Sequence, residues 1–289
     1  MKAILLSLAL AAGFSASAGG VTPGDTNRTD AQNRKQGLWK EKIYATDWYG
    51  NYVDDKKEGV WIAYHSTGIV SNIDQYSAGK KNGISVAIDK AGYFFREENF
   101  RNDTLHGIQR TYFTGGKLKS YAEYNKGKYD GIRRMHYSDG KVQEEGRYKN
   151  NVRDGVSKWY YADGKLSTES NYKNGALEGV QKTYHKNGNT DSEVTYVNNM
   201  RQGIGREYHE NGKLRAEGTY TDDKETGTWK EYYENGKVKT LGKYVKGLKE
   251  GDWIEFDENG KKLKSTKFKN GVDTSQKLPA PEKDAPVKK

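Results

Sequence analysis

The chain has 289 residues, a formal net charge of +10 at pH 7, 33% hydrophobic residues and no cysteine. Without cysteine there are no disulfides, no thiolate metal sites and no lipid-modified cysteine anchor, and so small an apolar share excludes a thick two-sided core. Aromatic residues still make up 12% of the chain, tyrosine above all, which suits a thin core of stacked rings.

Residues 1–18 start with Lys2 after the initiator, run largely apolar from Ala3 to Phe14 and close on Ala16-Ser17-Ala18. This pattern predicts a signal peptide cleaved after Ala18, and the apolar run is too short for a membrane anchor. The mature protein is therefore expected in the periplasm or secreted. Residues 19–36 are polar, contain Pro23 and predict a flexible leader. Residues 37–58 carry Trp39, Tyr44, Trp48, Tyr49 and Tyr52 and read as a degenerate repeat, 22 residues long, that caps the first edge of a repeat array.

From residue 59 a glycine recurs every 24 residues, at Gly59, Gly83, Gly107, Gly131, Gly155, Gly179, Gly203, Gly227 and Gly251. Nine at one spacing mark a tandem repeat. With each of these as slot 0, slot 9 is again glycine, slot 17 is always aromatic (Tyr76 to Phe268) and slot 5 is aromatic in seven repeats, Ile88 and His136 being the exceptions. Slot 1 is mostly β-branched and slot 11 mostly Val, Leu or Phe. Two glycines per repeat are costly in a helix, whereas Tyr, Val, Ile and Thr suit strands. Asn-Gly or Asp-Gly at Asn211-Gly212 and Asp139-Gly140 are hairpin turns. Residues 59–273 are thus expected to be all-β, an elongated single-layer antiparallel meander of about nine 24-residue β-hairpins.

A three-residue loop with glycine in the left-handed conformation sets slot 5 opposite slot 11. Simple alternation then puts slots 1, 5, 11 and 17 on one tyrosine-lined face. The reading of the protein as a scaffold leans on that single aromatic layer. Residues 274–289 hold Pro279, Pro281 and Pro286 among lysines and acids and predict a disordered tail.

A repeat such as GTWKEYYENGKVKTLGKYVKGLKEG, from Gly227 to Gly251, resembles the bacterial variant of the MORN repeat, found in antitoxin-like proteins of the YwqK type. The resemblance covers residues 59–271. It implies an open β-meander that binds proteins or, in eukaryotic relatives, acidic lipids.

The five histidines, His65, His106, His136, His185 and His209, show no metal-ligand or triad pattern, and three of them share slot 6 with tyrosines. They read as aromatic substitutes. No phosphate loop emerges, so no catalytic residue, cofactor or metal is expected. Basic residues recur at slot 3 (Arg110, Arg134, Lys158, Lys182, Arg206 and Lys230) and predict a positive stripe, either a solvated face or an attraction for an acidic partner. Nucleic acid is not expected as the partner of an exported chain. In the first three repeats Trp61, Ile69, Ile73, Tyr93, Phe95 and Tyr121 make an expected wet face apolar, which marks a partner-binding site or an internal contact. Trp229 and Trp253 share slot 2 and are expected to stack as a second anchor or an end cap.

These features point to an exported, non-enzymatic scaffold for protein–protein interaction. Its most concrete form is a periplasmic immunity or antitoxin-like protein that neutralises a toxin. The alternative is a cell-envelope or secreted surface protein that binds host cells, polysaccharide or anionic lipid.

Overall fold

The computed structural model describes residues 26–44 and 46–275, which are strands and turns with no helix among them. The signal segment, the leader up to residue 25 and the tail from residue 276 lie outside the described residues. The chain divides between Gly164 and Lys165 into two compact units. In each, successive strands pair antiparallel, running from Lys35–Ile43 to Val152–Tyr160 in the first unit and from Leu166–Lys173 to Lys262–Lys269 in the second.

Two turns shape every repeat. In the first, the slot 6 N–H donates to the slot 10 carbonyl (His209 to Lys213, 2.8 Å) and the slot 9 glycine N–H donates back to the slot 6 carbonyl (Gly212 to His209, 2.8 Å). Gly212 sits at φ 82°, where a Cβ is strained. This is the expected three-residue loop, and slot 5 faces slot 11 as expected, in Tyr112↔Leu118 and Tyr208↔Leu214. The second turn is a two-residue link with both φ positive, as at Asp222 (48°) and Asp223 (66°), a twist that matches the flanking strands.

The expected single aromatic face is not formed. Just past slot 11 the register shifts by one residue, so that slot 4 faces slot 13: Glu207↔Ala216 follows Tyr208↔Leu214. The bulge at slot 12 inverts the alternation for the rest of the strand. Slot 17 therefore falls on the face of slots 2 and 15, and slot 5 falls on the opposite face with slots 3 and 14. The core lies on the first of these. Trp61 is fully buried, and Tyr52, Tyr220 and Trp253 are nearly so. Along the second unit Tyr220, Trp229, Tyr244, Trp253 and Phe268 follow one another edge to face, with ring centroids 4.9–6.4 Å apart. Such T-shaped pairs are the favourable geometry for aromatic quadrupoles.

The degenerate repeat keeps an unbroken register from Gly37↔Tyr52 to Ile43↔Thr46. Its two missing residues are one loop residue and the bulge. The leader differs from its expectation where it is described. Arg28–Thr29 is a strand paired with Lys35 and Gln36, and the Asn27 N–H donates to the Leu38 carbonyl at 2.9 Å. The degenerate repeat itself lies on the first edge of the array, with Thr46–Val53 paired to Lys56–Tyr64, and Arg28–Thr29 adds a short strand beyond it. At the other end Val272–Asp273 folds back on Lys269 and Phe268.

Candidate functional site

The face opposite the core is built from slots 3, 5 and 14. Pairing brings slot 3 beside slot 14, so the basic stripe is interleaved with acids rather than standing alone. Arg110 pairs with Glu97 at 3.5 Å, Arg134 with Glu145, Lys182 with Glu193 at 2.7 Å and Arg206 with Glu217 at 3.7 Å. Lys158 lies in register with Glu145, and Lys230 with Glu217. The hydrogen bond from Lys182 holds the Glu193 carboxyl below its ordinary range. The slot 5 tyrosines reach back to the same acids, from Tyr112 to Glu97, from Tyr208 to Glu193 (3.3 Å) and from Tyr232 to Glu217 (3.0 Å). Burial and the neighbouring carboxylates raise the pKa of all three hydroxyls, which keeps them as donors. Arg110, Arg134, Lys182 and Arg206 of the expected positive stripe are thus ion-paired across strands.

The slot 6 side chains stitch one repeat to the next. His65 Nε2 lies 2.8 Å from the Ile88 carbonyl, and the same bond joins His185 to Tyr208 and His209 to Tyr232, each at 2.9 Å. Tyr137 and Tyr233 do this with their hydroxyls, to Tyr160 and Phe256. A carbonyl accepts, so Nε2 carries the proton. His136, in slot 5, is partly buried, and desolvation lowers its pKa. Among the described residues no group of three His, Cys, Asp or Glu is placed to hold a metal ion.

The expected partner-binding residues separate into internal and exposed ones. Trp61 packs edge to face between Tyr52 and Tyr76, and Lys57 Nζ stands 3.9 Å from its ring centroid. Trp229 and Trp253 do not stack on each other, because Tyr244 lies between them. Tyr121 takes an acid's place in slot 14 between the guanidiniums of Arg110 and Arg134, 5.8 and 5.9 Å from its ring centroid. Ile73 is half-buried on that face. Ile69, Tyr93 and Phe95 are exposed by 37%, 46% and 59%. They flank the first turn, where other repeats place lysines such as Lys141 and Lys237, whose ammonium groups donate to carbonyls of the next turn. Ile69 and Tyr93 have no such group, and Phe95 occupies the bulge itself.

Sequence reasoning missed the pairing of slot 15 with slot 2 of the next repeat. Trp61 lies over Gly50, Trp229 over Gly218 and Trp253 over Gly242, so close that a Cβ on any of these glycines would stand 2.0–2.3 Å from the indole. Where slot 15 is polar, the two side chains bond: Ser85 to Asp74 at 2.5 Å, Gln109 to Glu98 at 2.7 Å and Gln181 to Ser170 at 2.8 Å. The signal lay in the sequence as a glycine 11 residues before each of these tryptophans.

The family profile described as MORN repeat variant matches residues 105–126, 129–150, 153–174, 177–198, 201–222, 225–246 and 249–270, together more than half of the chain. The chain belongs to the MORN repeat variant family. Membership makes it a repeat scaffold of the kind that mediates protein or lipid interaction. A search among curated proteins found no match. The repeats of this MORN-variant protein that begin at Gly59 and Gly83 precede the first matched stretch. They form the same hairpins, and they hold the exposed Ile69, Tyr93 and Phe95.

Proposed function

We propose that this MORN-variant protein is exported and works as a non-enzymatic scaffold that grips another protein. In its most specific form it is an immunity, or antitoxin-like, protein that neutralises a toxin in the periplasm. The observation that carries the binding role is the exposure of Ile69, Tyr93 and Phe95 beside the first turn, where Lys141 and Lys237 stand in other repeats. The apolar segment before Ala18 supports export. The alternating ion pairs weaken the envelope-lipid alternative, since an anionic membrane favours an unopposed cationic patch.

The test is Phe95→Asp. Coexpression of the full chain with the product of the neighbouring reading frame, exported to the periplasm, reads toxicity and its rescue. A charge set into an interface anchor costs about 2 kcal/mol or more, roughly a thirtyfold loss of affinity. Rescue is therefore expected to fail while the circular dichroism spectrum stays unchanged. Full rescue by the variant removes these residues from the binding role, and a collapsed spectrum makes them internal packing.

A further inference from the structure

The second unit carries a different opening, on the charged face. Each repeat has a second irregularity at its slot 0 glycine, where the preceding strand has fewer residues than its partner between two paired positions. In the first unit long polar side chains in slot 16 plug it. Gln75 Oε1 accepts from the Ile84 N–H at 2.8 Å, Asn99 Nδ2 donates to the Ile108 carbonyl at 2.8 Å, and Glu123 Oε2 accepts from the Ile132 N–H at 3.0 Å. In the second unit Thr219 holds slot 16 in register with Thr226, its side chain is shorter than that of Gln75 or Glu123, and Gly218 before it stands opposite the extra residues. A depression of about 340 Å³ is left, lined by Ile204, Glu217, Gly218, Thr219, Thr228 and Lys230.

Its rim is apolar at Ile204 and carries Lys230 together with the ion-paired Glu217. Ile204 is 53% exposed, and Val180 beside it along the same slot is 47% exposed. Among the described residues Lys230 has no carboxylate partner, because Glu217 is engaged by Arg206 at 3.7 Å and by the Tyr232 hydroxyl at 3.0 Å, and the slot 14 residue of its own repeat is Leu241. Lys243, in register with Thr228, also has none. Two ammonium groups without an ion pair, Lys230 across from Glu217 and Lys243 across from Glu250, stand beside an aliphatic dent and fit a ligand with the reverse pattern.

We infer that this depression is a docking site for an extended acidic segment of a protein partner, which seats an aliphatic side chain against Ile204 and Thr228 and presents a carboxylate to Lys230. The inference rests on the reading of the chain as a protein-binding scaffold and names a second contact, separate from Ile69, Tyr93 and Phe95.

The experiment is a titration of the ¹⁵N-labelled full chain with the peptide acetyl-Asp-Leu-Asp-Leu-amide, with acetyl-Lys-Leu-Lys-Leu-amide as the reversed-charge control, and with phosphatidylglycerol vesicles in a third arm. The acidic peptide is expected to shift the amides of Ile204, Thr219, Thr228 and Lys230, while the basic one leaves them in place. Lys230→Glu is expected to weaken the acidic peptide at least tenfold. Thr219→Gln, which sets a longer side chain into the depression, is expected to abolish the shifts in a folded chain. Equal response to both peptides, a response to vesicles alone, or an unchanged affinity in both variants overturns the docking site. Shifts confined to Tyr93 and Phe95 also overturn it while leaving the scaffold reading intact, and no shift anywhere counts against both.

Discussion

Tryptophan and glycine are matched across strands in this protein, and the match is steric rather than conformational. Gly218 and Gly242 lie outside the positive-φ glycines, so nothing in their backbone forbids a side chain. What forbids it is the ring of Trp229 or Trp253, about 2 Å from where the Cβ would stand. Gly242→Ala is thus expected to lower stability by about 1–3 kcal/mol, the usual range for overpacking. Gly146→Ala is the control. There the neighbours are the Ser157 hydroxyl at 2.9 Å and the edge of Tyr148 at 3.3 Å, which leave more room to adjust. Urea denaturation of the two variants checks the argument: equal losses would mean that the glycines are needed for their backbone and not for the space above them.

Hairpins are the unit in which the sequence was most legible. Period, turn type and the slot 5 to slot 11 register follow from glycine spacing and Asn-Gly dipeptides, and all three are present. Face assignment was not legible, because one bulge residue reverses every side chain beyond it, and nothing in the identity of slot 12 (Phe95, Lys119, Asp191 or Leu263) announces it. Of the candidate site, the sequence located Tyr93 and Phe95 but could not separate them from Trp61, since burial depends on that same reversal. The second turn shows a local cost that sequence reading also passed over. Its first position has positive φ in every hairpin, and most repeats fill it with Asn or Asp, which tolerate that region. Ala78 (φ 50°), Lys126 (φ 50°) and Lys246 (φ 51°) do not belong to that class. Lys126→Asn is expected to stabilise the chain by about 0.5–1 kcal/mol. Thermal unfolding monitored at the β-sheet band reads the sign, and a lower midpoint would mean that the lysine stem has packing of its own.

At the scale of the whole molecule, a repeat protein gains its stability from neighbours in contact, so a repeat is removable when both new neighbours fit. Length alone is not enough here, because slot 15 of one repeat must suit slot 2 of the next. Two deletions of 24 residues within the second unit separate these ideas. Removing residues 209–232 joins Tyr208 to Tyr233, slot 5 to slot 6, and takes out Gly218 and Trp229 together, leaving Val194 beside Gly205 and Gly242 beneath Trp253. The tie from His185 to the Tyr208 carbonyl and the tie from Tyr233 to the Phe256 carbonyl both survive. Removing residues 203–226 preserves the same period but sets Trp229 over Val194, where no glycine makes room. The first deletion is expected to fold cooperatively, and the second to be less stable by about 1–3 kcal/mol or to lose its sharp transition. Chemical denaturation of the pair compares them directly. Two equal transitions would show that the period carries the fold unaided and that the tryptophan–glycine match is a passenger.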